Sequence, residues 1–339
     1  MENELKRKLD TKLIKLTKQY DIQARIYSEK LNWDYTFLNA GKEIPYNIAS
    51  ISKIFTAIII FMLIEEGKLN LEDKIAGLLP IELLKNLFVY QKIDYAEEVT
   101  IHNLLSHSSG CTAIDKKMMK KLISEPNKIW TPEMTFDFVR NQGASIGKPG
   151  ECYNYSEINY NLLGKIIEAT TKKTYPKMLH EYIFGPLKMN DSYLMHHSKP
   201  KNELKPIEKI WYLNHEVSTY KCLSSDWAGA GIVSTTSDLL KFNSGLHNDQ
   251  LITKTSLLKM QEPLNVFRPD IDYGLGTMSF ELGRNHPRLY GHTGNFVTHL
   301  YYDPISKTHI VLNFGNEKAM IRSFDLLIVI SRSIGKLIQ

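Results

Sequence analysis

Period-two alternation of apolar and polar residues, the mark of a strand buried on one face, occurs at both ends of this chain and is scarce in between. Near the N-terminus, Ile22 to Ser28 and Trp33 to Leu38 read as strands separated by Glu29 to Asn32, with Gly41 closing a hairpin. Near the C-terminus, Tyr273 to Phe280, Leu289 to Gly291, His299 to Asp303 and His309 to Phe314 are strand-like, with turns at Gly283, Gly294 and Pro304 to Ser306. From about Leu71 to Leu240 the pattern changes to short helical runs broken by Pro80, Gly110, Pro126, Pro149-Gly150 and Pro186. One sheet assembled from both termini, with a mostly helical lobe inserted, satisfies this distribution.

Three helices frame that plan. Leu5, Leu9, Leu13, Leu16 and Tyr20 recur at helical spacing among charges, which predicts an amphipathic surface helix. Ser50 to Glu66 predicts a long apolar helix stopped by a left-handed cap at Gly67. Ser323 to Ile338 predicts a closing helix.

Bulk properties exclude several classes. With 339 residues, 43% of them hydrophobic, the chain can bury a core without staples. Its net charge of +5 is scattered, so nucleic acid is not implied, and the lysine-rich stretches Lys116 to Lys121 and Lys199 to Lys205 read as solvated faces. Cys111, Cys152 and Cys222 are too few and too far apart for a disulfide framework. The first twenty residues lack the apolar stretch and cleavage site of a secretory signal, and the longest apolar run, Ile54 to Ile64, falls far short of the ~20 residues of a membrane helix. A cytoplasmic protein without a membrane span is expected. No histidine pattern matches a metal site, so neither metal nor other cofactor is expected.

Ser50-Ile51-Ser52-Lys53 places a hydroxyl and an ammonium one helical turn apart. The spacing recurs at Ser145/Lys148, Ser198/Lys201, Ser218/Lys221, Ser256/Lys259 and Ser333/Lys336, so context must choose. Only the Ser50 copy stands where a hairpin leads into a long apolar helix, although a helix N-cap also needs a serine. Gly143-Ala144-Ser145-Ile146-Gly147 fits the pattern of a nucleophile elbow, which requires a strand before it and a helix after. Phe136 to Arg140 looks helical and Lys148-Pro149-Gly150 breaks the chain, so this second candidate is set aside.

Ser50-Ile-Ser-Lys53, Tyr155-Ser156-Glu157 and His292-Thr293-Gly294 follow one another in the order of a known family. The chain resembles the serine β-lactamase and penicillin-binding-protein superfamily, in its class C β-lactamase-like branch of D-peptidases, D-aminopeptidases and esterases. The segments Ile48 to Ala57, Val99 to Gly110, Pro149 to Ser156, Tyr160 to Gly164 and Gly229 to Asp238 extend the resemblance over roughly Ile22 to Ile334. It implies an α+β, β-lactamase-like fold: an antiparallel sheet flanked by helices in residues 1–70 and 240–339, a mostly helical lobe in 71–239, and the site in the cleft between.

The resemblance also implies a serine hydrolase that forms an acyl-enzyme on Ser50, with Lys53 and Tyr155 sharing the proton transfers. The backbone N–H groups of Ser50 and Asn295 are the implied oxyanion donors. Thr293 and Gly294 are expected on an edge strand able to pair with substrate, and His292 is expected to offer a hydrogen bond or partial positive charge. Two departures bear on specificity. His292 stands in place of the β-lactamase lysine, which points away from β-lactamase activity. Glu157 stands where the family usually has Asn, and a carboxylate that cannot donate would pair with Lys53 or with a substrate amine. The expected substrate is a small ester, amide or D-amino-acid-containing peptide. The alternatives are a β-lactamase, or a penicillin- or peptide-binding sensor without turnover. Oligomeric state is open.

Overall fold

Alternation within the C-terminal strands decides how the layers stack. In the computed structural model, which describes residues 2–141, 145–283 and 288–338, Ile310 and Leu312 belong to one core and Val311 between them to another. The sheet is therefore covered on both faces. Its strands are β1 (Gln23–Ser28), β2 (Trp33–Leu38), β3 (Asn265–Arg268), β4 (Ile271–Tyr273), β5 (Met278–Glu281), β6 (Arg288–Gly294), β7 (Thr298–Asp303) and β8 (Thr308–Asn313). They lie side by side as β3-β4-β5-β6-β7-β8-β1-β2, and every neighbouring pair is antiparallel. The two ends of the chain meet where β1 pairs β8, from Gln23 opposite Asn313 to Ser28 opposite Thr308.

Helices α1 (Glu2–Leu16) and α5 (Met320–Ile338) cover one face, burying Leu5, Leu9, Leu13, Leu326, Leu327, Ile330 and Ile334 against Ile26, Ile310 and Leu312. On the other face, α4 (Thr236–His247) packs Phe242 towards Val311 and Leu300. Below it runs α2 (Ser52–Glu65), where every residue from Ser52 to Phe61 is buried. A helix apolar all round belongs at a centre rather than a surface. It ends as expected, at Gly67 with φ +70°. Helix α3 (Glu157–Thr171) packs against it with Ile158, Leu162 and Ile166 buried.

The run Tyr273 to Phe280, expected as one strand, is a hairpin of β4 and β5, and β3 before it was not foreseen. Gly274 and Gly276 make the reversal. A Cβ on Gly274 would stand 2.3 Å from the Met260 carbonyl, and one on Gly276, with φ +90°, would stand 2.4 Å from Ala57 Cβ. A small three-stranded sheet, in the order Tyr46–Asn47, Ile232–Ser234, Tyr193–Leu194, also escaped the pattern because its strands are too short to show alternation. It anchors the chain just before Ser50: Ile48 N–H donates to the Ile232 carbonyl at 2.9 Å. No helix among the described residues is long and apolar enough to cross a membrane.

Candidate active site

Ser50 sits in a single 3-10 turn, Ala49–Ile51, that leads into α2. Ala49 before it has φ +48°, a left-handed conformation that costs an L-residue about 1–2 kcal/mol. Its N–H donates to Asn47 Oδ1 at 2.7 Å, which holds the turn. Strand β6 presses on the same turn. A Cβ on Gly294 would stand 2.7 Å from Ala49 Cβ and 2.4 Å from Thr298 Oγ1, while Thr298 donates to the Ile48 carbonyl at 2.9 Å. Glycine at 294 thus sets how closely the sheet approaches Ser50. The N-cap role open to Ser50 is not used, since α2 starts after Ile51 and no side chain caps it.

The third arm enters from the helical lobe. Ser156 caps α3 by accepting from Ile158 N–H at 3.3 Å, and donates to the Thr112 carbonyl at 2.8 Å. Its own N–H donates to His107 Nδ1 at 3.2 Å. These bonds place Tyr155 beside the lysine and leave Glu157 in the first turn of α3, where the helix dipole favours a carboxylate.

Lys53 is fully buried, and its Nζ donates to Ser50 Oγ at 3.3 Å and to the Gly229 carbonyl at 3.0 Å. The ammonium lies 4.8 Å from the centre of the Tyr155 ring and 5.5 Å from that of Tyr160. A cavity of about 240 Å³ opens over the pair, lined by Ser50, Tyr155, Glu157, Thr293, Gly294 and Asn295. A larger depression of about 530 Å³ lies elsewhere, beside Lys116 and Lys120. Its one serine, Ser124, donates to its own helix at Lys121, whereas the smaller cavity is lined by the serine that Lys53 contacts.

Burial lowers the Lys53 ammonium to about 8, against the upward pull of the Glu157 and Asp226 carboxylates. Burial raises the Tyr155 phenol well above its ordinary range, and Glu157 raises it further. Its hydroxyl is buried near Ser50, which favours the ionised form, yet no aligned hydrogen bond joins them. Of the two groups, the lysine is therefore the readier to exist as a free base near neutrality.

Glu157 Oε2 is buried without a hydrogen-bond partner among the described residues. Of the two partners expected for it, Lys53 makes no direct salt bridge with it but still feels its charge, which pulls the Lys53 pKa upward. His292 lies behind the cavity wall, fully buried. Its Nδ1 is 2.8 Å from the Thr293 carbonyl, which only accepts, so Nδ1 holds the proton. Burial and the nearby Lys53 charge lower its pKa to about 3, so the expected partial positive charge is absent. The expected edge strand needs correction too, because β6 is interior, between β5 and β7. Pairing with β5 stops at Gly291 opposite Met278, however, so His292 to Gly294 overhang their neighbour and are bonded only towards β7.

Two further residues had no signal in the sequence. Asp226, 8% exposed, reaches a small annex of the cavity with Ser50, Glu157, Tyr212 and Phe296. Burial first, then repulsion by Glu157, raises its carboxyl to about 7 against the pull of Lys53. Arg268 of β3 lines the mouth, exposed. Neither belongs to a spaced motif. Of the set-aside elbow, Gly143 and Ala144 lie outside the described residues, while Ser145 is buried and donates to the Leu87 carbonyl at 3.2 Å.

A serine at the head of a buried helix, a lysine one turn on, and an overhanging sheet strand opposite define the class of β-lactamase-like serine hydrolases. The Beta-lactamase family model matches residues 41–319, and the chain belongs to that family. It is 30% identical over 268 residues to penicillin-binding protein 4* of Bacillus subtilis, covering 74% of this chain and 55% of that protein. The chain thus spans about half the length of that relative. In fold it is similar to the D-amino acid amidase of Ochrobactrum anthropi SV3, with TM-score 0.84 at 19% identity over 99% of this chain and 100% of that one. It is similar also to a D-stereospecific amidohydrolase from Streptomyces sp., with TM-score 0.78 at 23% identity over 94% and 95%. At these identities the two structures establish the fold alone.

Proposed function

We propose that the protein hydrolyses small amides or esters of amino acids bearing a free amine, through an acyl-enzyme on Ser50. The observation that carries this reading is the buried Lys53 within 3.3 Å of Ser50 Oγ, its pKa lowered to about 8, under a cavity that Glu157 also lines. Neutral Lys53 takes the Ser50 proton as the hydroxyl attacks the substrate carbonyl. The Ser50 and Asn295 N–H groups receive the oxyanion, and Tyr155, protonated at neutral pH, delivers a proton to the leaving group. Water then releases the acid by the reverse transfers. Glu157 and Asp226 on the acyl side receive the substrate ammonium, and the two D-specific amidases of the same fold support testing D-configured amides first.

Arg268 favours a second reading, in which the leaving group is itself an amino acid whose carboxylate meets the guanidinium at the cavity mouth. Intact-protein mass spectrometry decides among these. The wild type and Ser50→Ala are incubated with a fluorophosphonate, a penicillin, D-alanine amide, N-acetyl-D-alanine amide and D-alanyl-D-alanine. A Ser50-dependent adduct and turnover of the free-amine amide are expected. Turnover of the dipeptide alone would select the second reading. A stable penicillin adduct without turnover would identify a sensor, and absence of any adduct would remove Ser50 as the nucleophile.

A further inference from the structure

Thr293 is tied to a buried hydrogen-bond chain whose proton directions can be counted. Its Oγ1 lies 2.9 Å from His299 Nδ1 and 3.0 Å from the Tyr301 hydroxyl. On the far side of the imidazole, Nε2 lies 2.8 Å from Ser323 Oγ, and Ser323 donates to the Met320 carbonyl at 2.7 Å. His299, Tyr301 and Ser323 are all fully buried. Burial lowers the His299 pKa to about 3, so the ring is neutral and carries one N–H.

The count begins at α5. Ser323 has one hydrogen, and it goes to Met320, so Ser323 Oγ accepts from His299 and the imidazole proton is on Nε2. Nδ1 is then a bare acceptor, and the Thr293 hydrogen satisfies it. Tyr301 has no partner other than Thr293 among the described residues, so it donates to Thr293 Oγ1. The opposite tautomer would give up the Ser323 bond to Met320 and leave one fewer bond inside a dry layer.

We infer that His299 and Ser323 hold the Thr293 hydroxyl as a hydrogen-bond acceptor towards the cavity, so that the cleft selects acyl groups carrying a donor, such as an ammonium, over those carrying a carboxylate. Thr293 has spent its hydrogen on His299, its cross-strand partner on the same face of the sheet, and only a lone pair is left for the cavity it lines. Glu157 also lines this cavity, so a carboxylate placed there would face an acidic side chain as well as the Thr293 oxygen. His299 and Ser323 are positioning residues, since neither lines the cavity. The inference rests on the proposed acylation of Ser50 only for its substrate consequence, not for the tautomer.

The test has two arms. Nitrogen-15 NMR of the full chain with labelled histidine, with His299 assigned by its loss in His299→Gln, reports which ring nitrogen holds the proton. The Nε2–H form is expected in the wild type. Ser323→Ala removes the acceptor of that proton, which moves to Nδ1, donates to Thr293 and frees the threonine hydrogen for the cavity. In the second arm, kcat/KM is compared for the p-nitroanilides of D-alanine, of isobutyric acid and of methylmalonic acid, which place an ammonium, a methyl group and a carboxylate at one position. The wild type should favour the ammonium, and Ser323→Ala should lower the ammonium-to-methyl ratio about tenfold, the worth of one hydrogen bond to a charged group. An Nδ1–H ring in the wild type overturns the inference, as does an unchanged ratio in a Ser323→Ala protein whose ring has switched. If no anilide is turned over, the Ser50 reading fails, and the tautomer alone decides whether Thr293 is an acceptor.

Discussion

Replacing Lys53 with methionine should destroy activity while stabilising the fold, and the stabilisation should fade as pH rises. A pKa lowered from 10.5 to about 8 means that the folded state binds the lysine proton more weakly than the unfolded state does. At pH 7 both states are protonated, and the lowering from 10.5 to about 8 costs about 3 kcal/mol. Between pH 8 and 10.5 only the unfolded state holds the proton, so stability rises with pH, and at pH 9.5 the cost has fallen to about 1 kcal/mol. Methionine fills similar volume without a charge. It gives up the bond to the Gly229 carbonyl, worth about 1 kcal/mol net. Lys53→Met should therefore gain about 2 kcal/mol at pH 7 and almost nothing at pH 9.5. Urea unfolding at the two pH values, followed by near-ultraviolet circular dichroism, measures both. A gain or loss that is the same at both would refute the lowered pKa and the assignment of Lys53 as a base poised near neutrality.

Four more outcomes follow from the same geometry. The acylation rate of an activated ester should rise with pH through about 8, because the neutral amine is the active form and Lys53 loses its proton there; stopped-flow release of p-nitrophenol from pH 6 to 9.5 measures this, and a flat profile contradicts it. Tyr155→Phe should slow an amide by at least about a hundredfold and an activated ester far less, since only the amide nitrogen needs a proton to leave; equal losses would point to a packing role. Gly294→Ala should cost about 1–3 kcal/mol and most of the activity, because the methyl group overlaps Ala49 Cβ and Thr298 Oγ1; unchanged kcat would show that the strand does not set the position of Ser50. Glu157→Gln should raise KM for D-alanine amide more than for N-acetyl-D-alanine amide, as steady-state kinetics would reveal, and an equal change for both would contradict an ammonium contact.

Much of this protein could be read along the chain. Ser50, Lys53 and Tyr155 lie in motifs whose spacing is local, one helical turn or one loop. The terminal strands were legible from β-branched and aromatic residues bounded by turn residues, although β7 and β8 are buried on both faces and show little alternation. The β4–β5 hairpin was read as one strand, because Gly274 and Gly276 mark a reversal only once the Met260 carbonyl and Ala57 are known to sit against them. Asp226 joined the site without warning, brought beside Glu157 by a turn between layers.

The deepest division concerns charge and proton direction. Residue type alone determined that a hydroxyl, an amine, a phenol and a carboxylate would be available, and that Glu157 could only accept. Tertiary structure alone decided that Lys53 is dry enough to lose its proton near pH 8, that His292 is neutral, and that Glu157 keeps a buried oxygen without a partner among the described residues. It also decided that Thr293 turns its hydrogen away from the cleft, towards His299. Those properties come from desolvation and from partners distant along the chain. A pKa or a hydrogen-bond direction is set by everything within a few ångströms, and the sequence lists residues without saying which of them will meet.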